Sequence, residues 1–544
     1  MNVNDVVARI LKTEGVEWVS CFPSNNLIES VANEGIRTIM FRQERGALMA
    51  ADGYSRMNDR RKFGVAITQG GPGSENSHGG IAQAFSDNIP ILYIAGGPAL
   101  GQYAVRPNFS PVRSYQSVSK YAEVITAPGQ VAAAMRRAFH NLRNGRPGPV
   151  ILEIPADVGG QEAPESALAY QPPKRLLQSP SQGDVAEAAR LLLNARKPVI
   201  WSGMGVLFSS ATGELRELAE LTQIPVYTTM PGKSSFDERH PLSLGAGSGA
   251  TSLPARKWIQ ESDVLFAVGS SMTRTSYGQP IPDGKVIIHN VESIEDINKD
   301  FYADVGIPGD ARLTLQALVE EVKAQAGETG RPANGVAEEI AEVRRSWLAQ
   351  WTPLLETDEV PIGTYRVINE LERNLDRENS VVTHDAGAPR DSIIPFYTAT
   401  TPHSYIGWGK STHLGYGIPL MIGAKLADPN RFCLNFMGDG AFGMSGLDIE
   451  TSVRAGAPIT TVVLNNGGMA TYPGGYPVAN ELFGLTRMGG DYAMIAEGMG
   501  AVGITVTQPA EIAPALVRAQ QLNRDGRTVL LDIHTNMEGR KSTF

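Results

Sequence analysis

The residues with the clearest chemistry lie in the last quarter of the chain. Gly438-Asp439-Gly440-Ala441 is followed by Asn465-Asn466, so that Asn466 stands 27 residues after Asp439. One carboxylate and one amide oxygen suit magnesium, which takes about six oxygen ligands and usually only one or two protein carboxylates. Free backbone amides at a helix start, here those of Gly440 and Ala441, suit phosphate oxygens. The pattern predicts a metal–diphosphate site.

Such a site needs a strand, a turn, a helix and a second strand to position it. Arg431 to Met437 is a short apolar run ending on glycine and reads as the first strand. Ser445, with Asp448 three residues on, reads as a helix N-cap with its capping partner. That helix is expected to end near Ala455, before Gly456 and Pro458. Ile459 to Leu464 is β-branched and uncharged, as a buried parallel strand is. A right-handed crossover then puts Asp439 and Asn466 at the carboxyl ends of two parallel strands, where open α/β sheets bind ligands. The competing reading is a nucleotide-binding dehydrogenase, because Gly438-x-Gly440-x-x-Gly443 has the fingerprint spacing. That fingerprint asks for an acidic residue near the end of the second strand, where this chain has Asn465 and Asn466.

Closed by its two asparagines, the segment resembles the signature of thiamine diphosphate (ThDP) enzymes, in the branch of acetohydroxyacid (acetolactate) synthase, pyruvate oxidase and benzoylformate decarboxylase. The resemblance implies Asp439, Asn466 and the backbone carbonyl of Gly468 as magnesium ligands. It also places Gly438, Asp439, Gly440, Ala441 and Asn466 around the cofactor. Near the start of the chain, an expected strand at Ile36 to Phe41 runs into Arg42-Gln43-Glu44-Arg45-Gly46-Ala47. From the residues alone, a glutamate in a first helical turn complements the helix dipole. By resemblance, Glu44 is the catalytic carboxylate that shares a proton with the pyrimidine of ThDP. The family chemistry that follows is deprotonation of the thiazolium carbon, attack on a carbonyl and cleavage of a carbon–carbon bond through a ThDP-bound carbanion.

Gly409-Lys410-Ser411-Thr412-His413-Leu414-Gly415 resembles the family stretch that folds the cofactor's two rings together. Leu414 falls on the apolar wedge position, and the Thr412 carbonyl on that of the acceptor for the exocyclic amine. Lys410, Thr412 and His413 depart from the small residues common there. A second departure is Thr383-His384-Asp385-Ala386-Gly387-Ala388-Pro389, where acetohydroxyacid synthases carry a Gln-His pair near the diphosphate. Backbone amides around Gly387 remain as cofactor contacts. His384-Asp385 has two readings, a substrate contact or a capped loop.

Length and composition agree with a large enzyme. The 544 residues suit three domains of ordinary size. A net charge of -9 argues against nucleic acid and anionic membrane surfaces. Cys21 and Cys433 cannot form a disulfide framework, and Met1-Asn2-Val3-Asn4-Asp5 lacks a basic start and apolar run. A cytoplasmic protein is therefore expected. Asn88 to Val105, the best membrane candidate, is broken by Pro90 and Pro98 and reads as a buried strand and loop.

Proline-rich or polar stretches, from about Gly159 to Asp184 and from Gly327 to Pro361, divide the chain. The expected fold is α/β, three doubly wound parallel-sheet domains. By resemblance these are a pyrimidine-binding domain (1–165), a central domain (185–326) and a diphosphate-binding domain (360–544). In the central domain, Pro198 to Trp201, Val264 to Val268 and Val286 to Ile288 read as strands, and the first two lead into Gly203-Met204-Gly205 and Gly269-Ser270-Ser271. Relatives bind flavin (FAD) or an adenine nucleotide there. Arg274 lies near a flavin-contacting arginine but without a motif around it, and no Lys/Arg cluster stands out, so the expected cofactors are ThDP and magnesium.

Candidates for the substrate pocket are Phe22-Pro23-Ser24-Asn25-Asn26, Gln69, His78, Gln116, His413 and Tyr472. Gln116 resembles a pocket glutamine of acetohydroxyacid synthases, and His413 is a candidate acid–base. Gln69 stands where benzoylformate decarboxylase has a catalytic histidine, and Tyr103 to Tyr121 lacks the paired histidines of pyruvate decarboxylases. The reading is an acetolactate synthase-like carboligase or lyase acting on a 2-oxo acid or related carbonyl compound. A non-ligating 2-oxo acid decarboxylase or 2-hydroxyacyl-CoA lyase is the alternative. A cofactor shared between subunits implies a homodimer or homotetramer.

Overall fold

The computed structural model describes residues 1–469 and 474–544; Tyr472 lies outside the described residues. The first sheet takes Trp18–Cys21 (β1), Arg37–Met40 (β2), Gly64–Thr68 (β3), Ile91–Gly97 (β4), Tyr121–Val124 (β5) and Val150–Pro155 (β6) in the order β2-β1-β3-β4-β6-β5. The second takes Val199–Ser202 (β7), Val226–Thr229 (β8), Ser243–Gly247 (β9), Val264–Val268 (β10), Val286–Val291 (β11) and Val305–Pro308 (β12) in the order β9-β8-β7-β10-β11-β12. The third takes Ser380–His384 (β13), Tyr405–Ile406 (β14), Phe432–Gly438 (β15), Thr460–Asn465 (β16), Val502–Val506 (β17) and Val529–His534 (β18) in the order β14-β13-β15-β16-β18-β17. Ladders such as β3–β4, β10–β11 and β15–β16 are all parallel. These are three α/β units of six strands each. Their central strands carry few polar side chains and are buried along nearly their whole length, because helices cover both faces.

The first and third sheets share one topology, and the second has the strand order of dinucleotide folds. The matching helices after the second strands of the first and third sheets, Glu44–Arg56 and Gly417–Ala427, pack together. Glycine permits it. A Cβ on Gly53 would lie 2.1 Å from the Leu420 carbonyl oxygen, and one on Gly423 would lie 2.0 Å from that of Ala50. Phe41, Met49 and Tyr54 from the first unit join Ile418, Met421 and Ile422 from the third in one buried cluster. The two units thus form a shared core next to Glu44. No helix among the described residues is long and apolar enough to cross a membrane.

Candidate active site

β15 ends at Gly438, and the chain turns directly into the helix Asp439–Ser445. Asp439 is 2% exposed. Its Oδ1 accepts from the Gly440 amide at 2.7 Å and its Oδ2 from the Gly467 amide at 3.0 Å. Burial raises this carboxyl above its ordinary range, while the surrounding amides pull it down. A divalent cation would add to the second effect, since nearby positive charge favours the ionised form. The two asparagines diverge. Asn465 Nδ2 donates to Asp532 Oδ1 at 2.9 Å and to the Gly490 carbonyl at 3.2 Å, so its side chain belongs to the sheet. Asn466 Oδ1 accepts from the Gly468 amide at 3.1 Å, on the turn that also holds Asp439. One buried carboxylate, one amide oxygen and the carbonyls of a Gly-rich turn are the mixed oxygen donors magnesium takes, so the residues present fit the ion.

β13, paired with β15, brings a second turn to the same edge. Gly387, with φ 86°, opens the helix Ala388–Ile393, and Pro389 Cγ lies 3.8 Å from the position of a Cβ on Gly438. His384 and Asp385 are fully buried. Asp385 Oδ1 accepts from the amides of Ala386 at 2.8 Å and Gly415 at 2.9 Å, and Oδ2 from Gly417 at 2.9 Å. Burial pushes its carboxyl up to about 6. His384 stacks on Trp408 with ring centroids 5.3 Å apart, and burial puts its imidazole well below the usual range. Of the two readings for this pair, the geometry gives the fastened loop: neither side chain is open to a substrate.

The loop that Asp385 fastens is Gly409 to Gly417. Within it Thr412 has φ 55°, a left-handed conformation that costs a β-branched residue about 1–2 kcal/mol. Leu414 packs against the shared core. Gly415 lies on the helix Asp439–Ser445, where its Cβ would come 3.2 Å from the Ala441 carbonyl oxygen and 2.6 Å from Met444 Cβ. The expected wedge and the expected diphosphate turn are therefore neighbours. His413 Nε2 stands 3.3 Å from Arg45 Nη1. Burial first, then that guanidinium, lowers the imidazole to about 4. At neutral pH it is uncharged, with Nε2 accepting from Arg45 and the proton on Nδ1.

Glu44 opens the helix Glu44–Arg56 and is 7% exposed. Its Oε2 accepts from Asn76 Nδ2 at 2.7 Å. Gly73 leaves room on the other side: a Cβ there would lie 3.3 Å from Glu44 Oε1 and 2.8 Å from Gln69 Cγ. Gln69 and Glu44 thus border the same space. The residues flanking Glu44 are held by the diphosphate-side helix, since Gln43 Nε2 and Arg45 Nη2 donate to the Met444 carbonyl at 3.0 and 2.8 Å. The Arg42 amide donates to Asp448 Oδ1 at 2.9 Å. This overturns the expected cap at Ser445. The chain is already helical from Asp439, with Gly438 in the N-cap place, so Ser445 ends a helix and Asp448 begins the next, Asp448–Arg454. Asp448 spends its carboxylate on the Glu44 segment instead.

Gln116 is exposed in a short turn, Gln116–Val118, and makes no hydrogen bond to Glu44 or His413 among the described residues. Its neighbour Tyr115 bonds the Ser74 carbonyl and lies 5.3 Å, ring to ring, from exposed His78. Asn25 donates to the Thr68 carbonyl at 2.8 Å and is tied up in the sheet edge. Gly203, Gly205, Gly269 and Arg274 line a central cavity of about 380 Å³, with the Arg274 guanidinium over Phe301. Arg60, Arg146 and Lys410 enter it from the flanking units, which the composition of the middle segment could not reveal. Asn76, Gln83, Asp87 and Asp448 went unnoticed as site residues because their partners are remote in sequence; Gln83 and His413, for instance, are 330 residues apart.

Residues 1–120, 185–318 and 385–533 match, in turn, the N-terminal TPP binding domain, the central domain and the C-terminal TPP binding domain of thiamine pyrophosphate enzymes. The chain is 31% identical to the acetolactate synthase large subunit of Corynebacterium glutamicum over 91% of its own length and 80% of the relative's. It is 28% identical to a probable acetolactate synthase large subunit of Methanococcus aeolicus, over 95% and 90% of the two chains. Against the acetolactate synthase isozyme 3 large subunit of Escherichia coli it is 26% identical over 97% and 94%. With three matched domains in order and relatives alike along nearly their full length, this chain belongs to the thiamine pyrophosphate enzymes, in the acetolactate synthase branch.

Proposed function

We propose that the protein is a ThDP- and magnesium-dependent carboligase of acetolactate synthase type, which cleaves a 2-oxo acid and joins the remaining fragment to a second carbonyl compound. The observation that carries this reading is the stacking of three elements on one short helix. The Asp439 turn opens the helix Asp439–Ser445, the Leu414 loop lies along it, and the Glu44 segment is bonded to its Met444 carbonyl.

In this reading Asp439, Asn466 and the Gly468 carbonyl hold magnesium, and the Gly440 and Ala441 amides hold phosphate, with Gly387 and Gly438 beside them. Leu414 would pack against the cofactor's rings, and the Thr412 carbonyl would accept from its exocyclic amine. Glu44 would share a proton with the pyrimidine nitrogen of the cofactor in its own chain or, with the cofactor shared between subunits, in a second copy. When bound, ThDP supplies an electron sink for making and breaking carbon–carbon bonds next to a carbonyl. His413, neutral at pH 7, acts through its Nδ1 proton or as a polar wall, not as an imidazolium acid. Gln116 approaches the substrate only if its exposed turn is covered.

Cover by a second copy is part of the proposal: a homodimer or a pair of dimers. Met40, Met444, Leu447 and Val453 are exposed around the Glu44 segment at 37%, 44%, 51% and 37%. The helix Pro477–Phe483, beyond Asn466, buries none of its residues, and Phe483 is 81% exposed. These exposed apolar side chains support such an interface. Sedimentation should give a dimer or tetramer, and a monomer at working concentration would remove this part.

The central cavity supports one further reading, a nucleotide or acyl-thioester ligand whose anionic end meets Lys410 and Arg146. Thermal shift with ADP tests it, and a colourless purified protein excludes bound flavin. The main test is product analysis with a panel of 2-oxo acids, with and without carbonyl acceptors. A hydroxyketo product is expected. Carbon dioxide with free aldehyde alone would make the protein a decarboxylase, and no ThDP-dependent turnover of any 2-oxo acid would overturn the reading.

A further inference from the structure

The left-handed Thr412 needs something to hold it, and the holding groups come from the other unit of the molecule. Gln83 lies on the helix Pro72–Ser86, after β3, and is fully buried. Its Oε1 accepts from Ser411 Oγ at 2.8 Å and from the His413 amide at 3.0 Å. One carboxamide oxygen therefore binds both chain neighbours of Thr412. The amide orientation is fixed, because Gln83 Nε2 donates to Asp87 Oδ2 at 2.8 Å, and a carboxylate oxygen can only accept. Nε2 also lies 3.4 Å from Ser86 Oγ.

Asp87, one helical turn on from Gln83, extends the clamp. Its Oδ2 accepts from the Gly409 amide and its Oδ1 from the Lys410 amide, each at 3.0 Å. Arg56 Nη2, at 2.9 Å, balances its charge. Residues i and i+4 share a helix face, so Gln83 and Asp87 form one polar edge reading four donors of the loop, on Gly409, Lys410, Ser411 and His413. A buried carboxamide with both ends satisfied is a rigid support, whereas a lysine in its place, a donor only, could accept neither of the loop's bonds.

We propose that Gln83 is a positioning residue for the cofactor: by binding Ser411 and His413 it fixes the backbone of Thr412, whose carbonyl the proposed function assigns to the aminopyrimidine. This rests on that assignment. It adds that the N-terminal unit sets a cofactor wall of the C-terminal unit within one chain, whichever copy supplies Glu44 to that cofactor.

The test compares Gln83→Met, which keeps length and loses every polar contact, with Ser411→Ala, which removes an exposed hydroxyl and its bonds to Gln83 Oε1 and Ser86 Oγ. Leu192→Ala, in the buried core of the central unit, serves as a control that lowers stability far from the site. In the full-length apoprotein, hydrogen exchange at the His413 amide reports the clamp. Titration with ThDP and magnesium, well below every melting midpoint, reports its consequence. Gln83→Met should lose His413 protection and weaken ThDP binding about tenfold, the equivalent of about 1.4 kcal/mol. Ser411→Ala should weaken it about threefold with an unchanged apo melting temperature, and the Leu192→Ala control should bind as the wild type does. Gln83→Met binding no worse than the control, or Ser411→Ala binding at the wild-type level, overturns the proposal. Should Gln83→Met not fold, Ser411→Ala decides alone. Wild-type protein that does not bind ThDP refutes the functional reading, while the His413 exchange still shows whether the clamp exists.

Discussion

The first and third sheets have the same strand order and put their site residues in matching turns, yet the turns carry different chemistry. After the second strand, the first unit places Glu44 at the start of a helix, and the third places the Thr412–Leu414 loop before one. After the third strand, the first unit has Gly70-Gly71-Pro72-Gly73, which leaves space beside Glu44, and the third has Gly438-Asp439-Gly440. A shared topology thus supplies openings at strand ends, and in the proposed function a few side chains divide the work: proton sharing in one unit, cation and phosphate in the other. The helices carrying the two halves meet at Gly53 and Gly423.

That division is broken most directly at its two carboxylates. Glu44→Gln should cost about 10²–10⁴-fold in kcat, the usual worth of a positioned proton carrier, while ThDP still raises the melting temperature. Asp439→Asn should instead abolish the magnesium-dependent part of that rise. A ligand at a hundred times its Kd stabilises by about 2.7 kcal/mol, so the loss is measurable by thermal shift. If Glu44→Gln lost cofactor binding, or Asp439→Asn kept it at wild-type magnesium dependence, the two turns would not have separate tasks.

The parts of this arrangement that sequence could reveal are those built from neighbours in the chain. Val264 to Val268 is the strand the pattern predicts, because an uncharged apolar run between polar ends is a local signal. Asp439 and Asn466 were legible for the same reason, as a turn and a strand end of known type. Ser445 misled because a serine three residues before an acid mimics a cap, although helix had already begun at Asp439. Gln83 and Asn76 gave no signal, and Asp448 gave only that of a cap. Gln83 and Asp448 find their partners in another unit and Asn76 finds Glu44 on a neighbouring helix of its own unit, and periodicity reports a face, not what covers it.

The seam between the units gives the next largest effect. Gly423→Ala would place a methyl group 2.0 Å from the Ala50 carbonyl, and backbone cannot yield as a side-chain tip can. Forcing the helices apart should cost about 1–3 kcal/mol, read as a lower urea midpoint with unchanged slope. Gly213→Ala, on a helix of the central unit with nothing within 4 Å of its new methyl, should cost nothing measurable. Equal losses at both positions would mean that the shared core does not depend on this contact.

The smallest expected effect concerns two groups that hold the same loop with opposite sign. Asp385, with its carboxyl raised to about 6, binds a proton in the folded state that the unfolded chain has already released between about pH 4 and 6. Its contribution to stability therefore falls as pH rises through that window. His413, lowered to about 4, stays neutral in the fold where the unfolded chain binds a proton, between about pH 4 and 6.5. Its contribution rises with pH over nearly the same range. The two largely cancel in the wild type. His413→Phe should leave stability falling more steeply from pH 4 to 6 than in the wild type, and Asp385→Asn should leave it rising. Each difference stays below the single-proton ceiling of about 1.4 kcal/mol per pH unit. Urea titrations at pH 4.5 and 6.5 separate the cases, and two variants that shift in the same direction would show that the loop is not held by this opposed pair.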